Sequence, residues 1–497
     1  MSKAHGELVG QWETLPDHFP NVLTPEYQTI LRRGFVEGYE QPCRDYGLPV
    51  RTFDLRIIDG RPYLRPVAIV GGSRPAPNLP VPIARVLFRL VPAMRRAAQR
   101  AERALTERRW LGETDRWYNT LRPAALERNR MLQRVELDGL DDAALAAHLL
   151  DAYDNVIAGY ILHFQLHGAD LLPAGAWMVR CRQWGIEPVE VFPFLVGHSP
   201  ATRLVGVEPA DLQWRSTGYD LDAPTCGEVG IEVPNEPLPQ PAIVEPDAGI
   251  RDRVPSECHA EFDQWLHDAR VTYGVRDDNG AIIGAWPIGL LRRAMLAVGA
   301  RIGLQEDHHA VELTVDELVG RLRGAASPDS TEVAARAERR RSHSAVPATR
   351  LLGTPEPVPP VAALPPAMAL FTEAFLLFRE LNATAEQSAP GHGTGIGAAP
   401  VTGRAVVAHD AHDALIRLDP GDILVTPMTS PAYNSVLTFA GGLVVVEAGL
   451  VSHAAVIARE LGLPTLLGVT DAMSIPDGST VTVDPVAGRV TVHEPGA

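Results

Sequence analysis

The apolar positions of the chain change their period several times, and the clearest change lies near its C-terminal end. Leu443 to Val446 is an unbroken aliphatic run between Gly441-Gly442 and Glu447, the pattern of a short strand buried on both faces. From Ala454 to Leu461 alanines and larger aliphatics recur at helical spacing, and Gly462 followed by Pro464 ends the pattern. The predicted order is strand, loop, helix, strand. The loop brings Glu447, Gly449, Ser452 and His453 to the edge of the sheet where the helix starts. Upstream, residues 81–172 carry apolar positions every three or four residues and are expected to be helical, as is Tyr27 to Tyr39. Two alternating runs flank Asp59-Gly60 and predict a hairpin. The Pro-, Glu- and Asp-rich residues 223–256 read as a linker, and Val346 to Pro366 as an extended connection.

Composition adds bounds. A chain of 497 residues exceeds one ordinary core, so two or three domains are expected. A formal charge of -16 repels phosphate polymers and acidic lipid, so neither a nucleic-acid nor a membrane partner is expected. No run approaches the length of apolar sequence that spans a bilayer, and the N-terminus leads into polar residues; a cytoplasmic protein is expected. Cys43, Cys181, Cys226 and Cys258 are far apart and form no Cys-x-x-Cys pair, so reduced thiols are expected rather than a zinc or disulfide framework.

Three groups of residues carry candidate chemistry. Ser452 suits the N-cap of a helix starting at His453, and the unpaired amides at such an end attract a phosphate or carboxylate. A neutral imidazole there has one nitrogen able to act as a nucleophile, approached past the missing side chain of Gly449. In the second group, Arg276 stands beside Asp277 and Asp278. An Arg next to two carboxylates suits clamping a transferring phosphoryl group, with the acids holding magnesium or taking a hydroxyl proton; the same residues equally suit a surface ion-pair cluster. Third, His163 and His167 lie four apart and share a helix face, with no acid or further His expected at helical spacing beside them. They read as a polar stripe or as a wall of an acceptor cleft rather than a metal site. Arg292 and Arg293 are adjacent on a predicted helix and cannot both face inward. The Gly-rich stretch ending at Gly397 follows no predicted strand and reads as a hinge, not a nucleotide loop.

The region around His453 resembles the phosphohistidine motif of the swivelling domain shared by phosphoenolpyruvate synthase, pyruvate phosphate dikinase and rifampicin phosphotransferase. Gly449, Ser452, His453, Ala455, Ala458, Arg459, Glu460, Gly462, Pro464 and Gly468 match the pattern. Ala448 stands where the family usually has a glycine, and its methyl group is expected to narrow the approach. Asp422 to Pro431 is similar to the family's strand and Thr-x-Pro turn, Gly397 to Val407 to the start of the same domain, and Val22 to Pro25 to the start of the acceptor-binding part.

That resemblance implies a multidomain fold: a large, mainly α-helical acceptor-binding domain over 1–383, a hinge over 384–396, and a C-terminal β/β/α swivelling phosphohistidine domain over 397–497. It implies a dikinase-type phosphotransferase in which His453 relays a phosphoryl group to a small-molecule acceptor. Ser452, Gly449, Thr429 and Glu447 would surround the group on the carrier. Arg276, Asp277, Asp278, Arg292, His163 and His167 are the candidates on the acceptor side, with Mg2+ at Asp277 and Asp278. The ATP-grasp domain that phosphorylates the His in full-length relatives is not among the parts that resemble this chain, so ATP is expected to act only through a separate ATP-grasp protein. Two alternatives stand beside this expectation: a phosphorylation-dependent dehydratase or cyclase of secondary metabolism, and a non-catalytic binding subunit.

Overall fold

The computed structural model describes residues 8, 10–14, 19, 21–70, 80–198, 206–230, 243–304, 309–346, 348–354, 360–382, 389–429 and 433–494. They divide into two compact units. The first comprises Met1–Leu172, Trp214–Pro224 and Asn279–Glu373; the second comprises Pro173–Gln213, Thr225–Asp278 and Ala374–Ala497.

In the first unit, helix α1 (Pro25–Asp45) lies along the long helix α2 (Asp142–Gln165). Gly34 and Gly38, four apart on one face of α1, make the approach possible. A Cβ on either would sit 2.6 Å from the Cβ of Tyr160 or Phe164. Helix α6 (Trp286–Arg301) packs on the other side of α2. Strands β1 (Gln11–Thr14), β2 (Val50–Ile58), β3 (Arg61–Ala68) and β4 (Leu351–Gly353) form a sheet in the order β2-β3-β1-β4. Asp59 and Gly60 turn the β2–β3 hairpin with positive φ at both positions, the requirement that Asp-Gly meets at low cost.

The second unit holds helix α3's C-terminal part (α3 spans His167–Gln183), helix α4 (His259–Thr272), most of α5 (Val275–Asn279), the end of α7 (Pro366–Asn382) and a sheet. Among the described residues seven strands form this sheet: β5 (Thr394–Ile396), β6 (Val401–Val407), β7 (Ile423–Thr426), β8 (Gly442–Val445), β9 (Thr465–Leu467), β10 (Thr480–Asp484) and β11 (Arg489–Glu494). Their order is β11-β10-β6-β7-β8-β9-β5. The central β6, β7, β8 and β9 are parallel and the outer pairs antiparallel. Helices α8 (Asn434–Leu437) and α9 (His453–Leu461) lie in the β7–β8 and β8–β9 crossovers. The alternation of strand side chains sorts the core into two layers. Leu424, Leu443, Val445 and Leu467 meet Ala454, Ala455, Ile457 and Ala458 of α9, while Ile423, Val425, Val444 and Leu466 meet Val481 and Val483.

Helical and β portions are thus both present, and their partition differs from a single cut near residue 390. Pro173–Gln213 and Thr225–Asp278 cluster with the C-terminal sheet, through contacts given below. Of the stretch expected as a hinge, 384–388 lies outside the described residues. Its remainder is pinned: β5 pairs with β9, the Gly391 amide donates to the Asp471 carboxylate at 2.9 Å, and the Gly393 amide donates to the Gly488 carbonyl at 3.0 Å. Ser430 and Pro431 of the expected turn, and 231–242 of the expected linker, also fall outside the described residues. One stretch, Ser256–Arg301, contains a window apolar enough to cross a membrane by length and composition, with a mean hydropathy of 1.4. Two-thirds of it (67%) is buried in protein, as core helices are.

Candidate functional site

The site is built on the loop from β8 to α9. Leu443, Val444 and Val445 are fully buried and fix the strand. The chain is then tied down twice, by the Glu447 amide donating to the Pro427 carbonyl at 2.8 Å and the Leu450 amide donating to the Leu381 carbonyl at 2.6 Å. Between them Gly449 runs against the end of α7: a Cβ there would lie 2.5 Å from the carbonyl carbon of Asn382, so only glycine fits. Ser452 is the N-cap of α9 in extended conformation, its hydroxyl accepting from the Ala455 amide at 3.4 Å. His453 occupies the first helical position. Gly462, with φ +65°, closes the other end, where the Leu463 amide reaches back to the Ala458 carbonyl at 2.9 Å.

The His453 ring is half-buried and held at both nitrogens. Nδ1 is 3.0 Å from the hydroxyl of Thr429, itself buried, and Nε2 is 2.7 Å from the side-chain oxygen of Asn434. The ring therefore sits beside the amino end of a nine-residue helix, where amide hydrogens and the positive dipole end favour an anion. Glu447 is exposed at the rim. The expectation that Ala448 narrows the approach is corrected by its position: its methyl group is buried in the core layer with Leu443, Val445 and Ala454. The loop beyond β8, tied at the Glu447 amide, turns it into the core. Asn434 has no counterpart in the sequence reading. Its contact with His453 depends on how the β7–β8 crossover folds back, which residue spacing does not reveal.

The far end of α9 is anchored differently. The Arg459 guanidinium stacks 4.2 Å over the Phe192 ring, donates to the Leu450 carbonyl at 2.7 Å and hydrogen-bonds Tyr273. Burial pulls Arg459 down from the ordinary arginine value, with Tyr273 opposing, and burial pushes the Tyr273 phenol up. Both carboxylate oxygens of the buried Glu460 accept from the Gly197 amide, at 3.1 and 3.2 Å.

Arg276, Asp277 and Asp278 lie on α5, which is separated from the end of α4 by two residues. Arg276 and Asp277 are within electrostatic reach of Tyr273, as are Arg459 and Glu460. The structure thus associates the Arg-Asp-Asp group with the Arg459 end of α9, about 9 Å along the helix axis from His453. Burial pushes the Asp277 carboxyl above its ordinary value, with Arg276 opposing and Asp278 reinforcing; Asp278 is buried. Among the described residues no three His, Cys, Asp or Glu side chains gather as a metal site. The two acids alone fit Mg2+ only in the way that ion is commonly held, by one or two carboxylates together with phosphate oxygens and water.

The remaining candidates lie in the first unit. The His163 and His167 rings meet edge-on with centroids 4.8 Å apart. His163 Nδ1 hydrogen-bonds the Asn279 side-chain oxygen, and His167 Nδ1 is 2.6 Å from the Tyr39 hydroxyl. The expectation that no acid accompanies them at helical spacing is corrected: Asp170, one turn beyond His167, places a carboxylate oxygen 4.0 Å from His167 Nε2. Arg292 is fully buried, and one of its terminal nitrogens donates to the Leu221 carbonyl at 2.6 Å, holding the segment Trp214–Pro224. Arg293 faces elsewhere, donating to the Gln133 and Val135 carbonyls at 2.8 Å.

Residues 418–488 match the family model described as PEP-utilising enzyme, mobile domain. The chain is 46% identical over 99 residues to a pyruvate kinase of Lactobacillus delbrueckii subsp. bulgaricus, a match covering 20% of this chain and 17% of that protein. It is 41% identical over 112 residues to the phosphoenolpyruvate synthase of Escherichia coli strain K12, covering 22% and 13%. An uncharacterized phosphotransferase of Bacillus subtilis strain 168 is 37% identical over 110 residues, again covering 22% and 13%. The chain spans less than a fifth of the length of these curated relatives. One module therefore accompanies proteins with different names, and the module alone does not set the substrate.

Proposed function

We propose, from the match of residues 418–488 to the PEP-utilising enzyme mobile domain, that the protein is a phosphotransferase that relays a phosphoryl group through His453 to a small-molecule acceptor. The observation that carries the reading is the half-buried imidazole at the amino end of α9, with a neutral side chain at each nitrogen. In the first step a ring nitrogen's lone pair forms the N–P bond as the P–O bond to the donor breaks, and the donor oxygen leaves with its electron pair. In the second, an acceptor oxygen attacks phosphorus and the N–P pair returns to the ring. Positioning and charge neutralisation dominate such transfers.

On the carrier, the reading assigns the Ser452 and Thr429 hydroxyls and the α9 amides to donate to phosphoryl oxygens, Gly449 to keep the loop close, and Glu447 to the rim. On the acceptor side the reading assigns charge neutralisation to Arg276 and receipt of the acceptor hydroxyl proton to Asp277. Where Asp277 is not engaged with a cation, its upward-shifted carboxyl is the better proton acceptor. Mg2+, when bound with the phosphate, would be held by Asp277 and Asp278 and would neutralise phosphoryl charge. His163 and His167 are assigned to the acceptor wall. Because α9 turns its Arg459 end toward the Arg276 segment, the scheme requires the module to swivel between steps. The donor is assigned to ATP acting through a separate ATP-grasp protein.

The test is chemical. The protein is incubated with Mg2+ and phosphoenolpyruvate, or with Mg2+, ATP and an ATP-grasp protein, and His453 is examined for acid-labile, base-stable phosphate. Phosphate absent from His453 under both conditions, or retained in His453→Ala, rejects the relay; phosphate from phosphoenolpyruvate alone rejects the obligatory partner.

A further inference from the structure

We infer that Asn434 is a positioning residue that holds uncharged His453 as the neutral tautomer with hydrogen on Nε2, and so keeps Nε2 from reacting until this contact is broken. The functional meaning rests on the relay reading; the tautomer does not.

The argument is one of donors and acceptors. The Asn434 side-chain oxygen has only lone pairs, and it lies 2.7 Å from Nε2. A hydrogen must stand between them, and in a neutral ring it belongs to Nε2. Nδ1 then carries the ring's in-plane lone pair, which accepts from the Thr429 hydroxyl at 3.0 Å. The opposite tautomer would set two lone pairs against each other at the shorter of the two contacts. The threonine does not choose, because a hydroxyl serves as donor or acceptor; the amide oxygen makes the choice.

Asn434 is well placed to keep that role. It opens the short helix α8, whose Val436 and Leu437 are buried in the same core layer as Ala454 and Ile457 of α9. The preceding Tyr433 is buried, its hydroxyl 2.9 Å from the Thr426 hydroxyl at the end of β7. The amide and the imidazole are therefore carried by two elements packed on one sheet face. For a phosphoryl group to form its bond at Nε2, the Nε2 proton must leave and the Asn434 oxygen must turn away. In a transfer at Nδ1, the Thr429 hydroxyl must turn instead while Asn434 retains the Nε2 hydrogen. In both cases Asn434 governs the proton on the ring that reacts.

The full chain, labelled with 15N-histidine, tests this by NMR at a pH where the imidazole is neutral, with His453→Gln identifying the resonances. The expected wild-type signature is a protonated Nε2 and an unprotonated Nδ1. Asn434→Ala is expected to shift the pair toward a mixture, whereas Asn434→Asp, which keeps an acceptor oxygen there, retains it. Carbethoxylation of His453 by diethyl pyrocarbonate is expected to accelerate about fivefold in Asn434→Ala, the factor that corresponds to one net hydrogen bond. Thermal unfolding of each variant shows that it is folded. A wild-type ring protonated at Nδ1, or shifts and reactivity unchanged in folded Asn434→Ala, overturns the inference while leaving the relay intact. An Nε2–H ring that never accepts phosphate overturns the relay while leaving the positioning role.

Discussion

The two ends of α9 hold their charged and polar groups in opposite ways. At the amino end, His453 is half-buried and touches two neutral side chains, each through a single hydrogen bond. At the carboxyl end, the buried Glu460 accepts from the Gly197 amide on both oxygens, and Arg459 stacks on Phe192, donates to the Leu450 carbonyl and lies beside Tyr273. On the proposed relay, the end that has to react is the more accessible one, and the end that orients the helix is the more enclosed. A helix of nine residues separates the two requirements by its own length.

Substitutions at each end break this contrast in different observables. His453→Ala is expected to abolish phosphate incorporation altogether while changing stability by less than about 1 kcal/mol, as partly exposed positions do; thermal unfolding and phosphate analysis check the two halves. Glu460→Ala reverses the pattern, leaving the Gly197 amide without its charged acceptor at a cost of about 2 kcal/mol in chemical denaturation, with the imidazole unaltered. Gly449→Ala forces the loop from the end of α7 and is expected to cost about 1–3 kcal/mol, with faster amide exchange at Leu450 as its local signature. Ser452→Ala removes a long cap bond and is expected to cost about 0.5 kcal/mol. Asp277 offers the finest probe. Its folded-state carboxyl lies above the ordinary value because of burial, so the native state holds its proton more tightly than the unfolded chain. The stability it adds is full below about pH 4 and is lost as pH rises through the folded value. Asp277→Asn is expected to flatten that part of the stability–pH curve.

The readable and unreadable parts of this molecule divide along the same physical line. Strand β8, the Ser452 cap, the Gly462 stop and the Asp59-Gly60 hairpin follow from local rules: period, cap chemistry and permitted φ. All stand in the structure. His453 stands out from cap and imidazole chemistry, and Thr429, 24 residues away, joins it only through the family resemblance. Asn434 carries no such signal, because a lone Asn has many ordinary uses in a chain. The anchoring of Arg459 and Glu460 was equally hidden; nothing near them in the chain announces Phe192, Gly197 or Tyr273. Asp170 is legible from spacing alone, since it follows His167 by three residues and the helical spacing continues across the start of α3. The interleaved partition of the two units depends on contacts between distant segments, which local periodicity does not carry.

The pinned strand β5 sets a mechanical limit. Asn382 ends α7 and Ala389 begins the next described segment, so seven virtual bonds of about 3.8 Å cap their separation at about 27 Å whatever path the residues between them take. A body joined to α7 by so short a stretch can turn to face different directions, but it cannot travel far from that helix end.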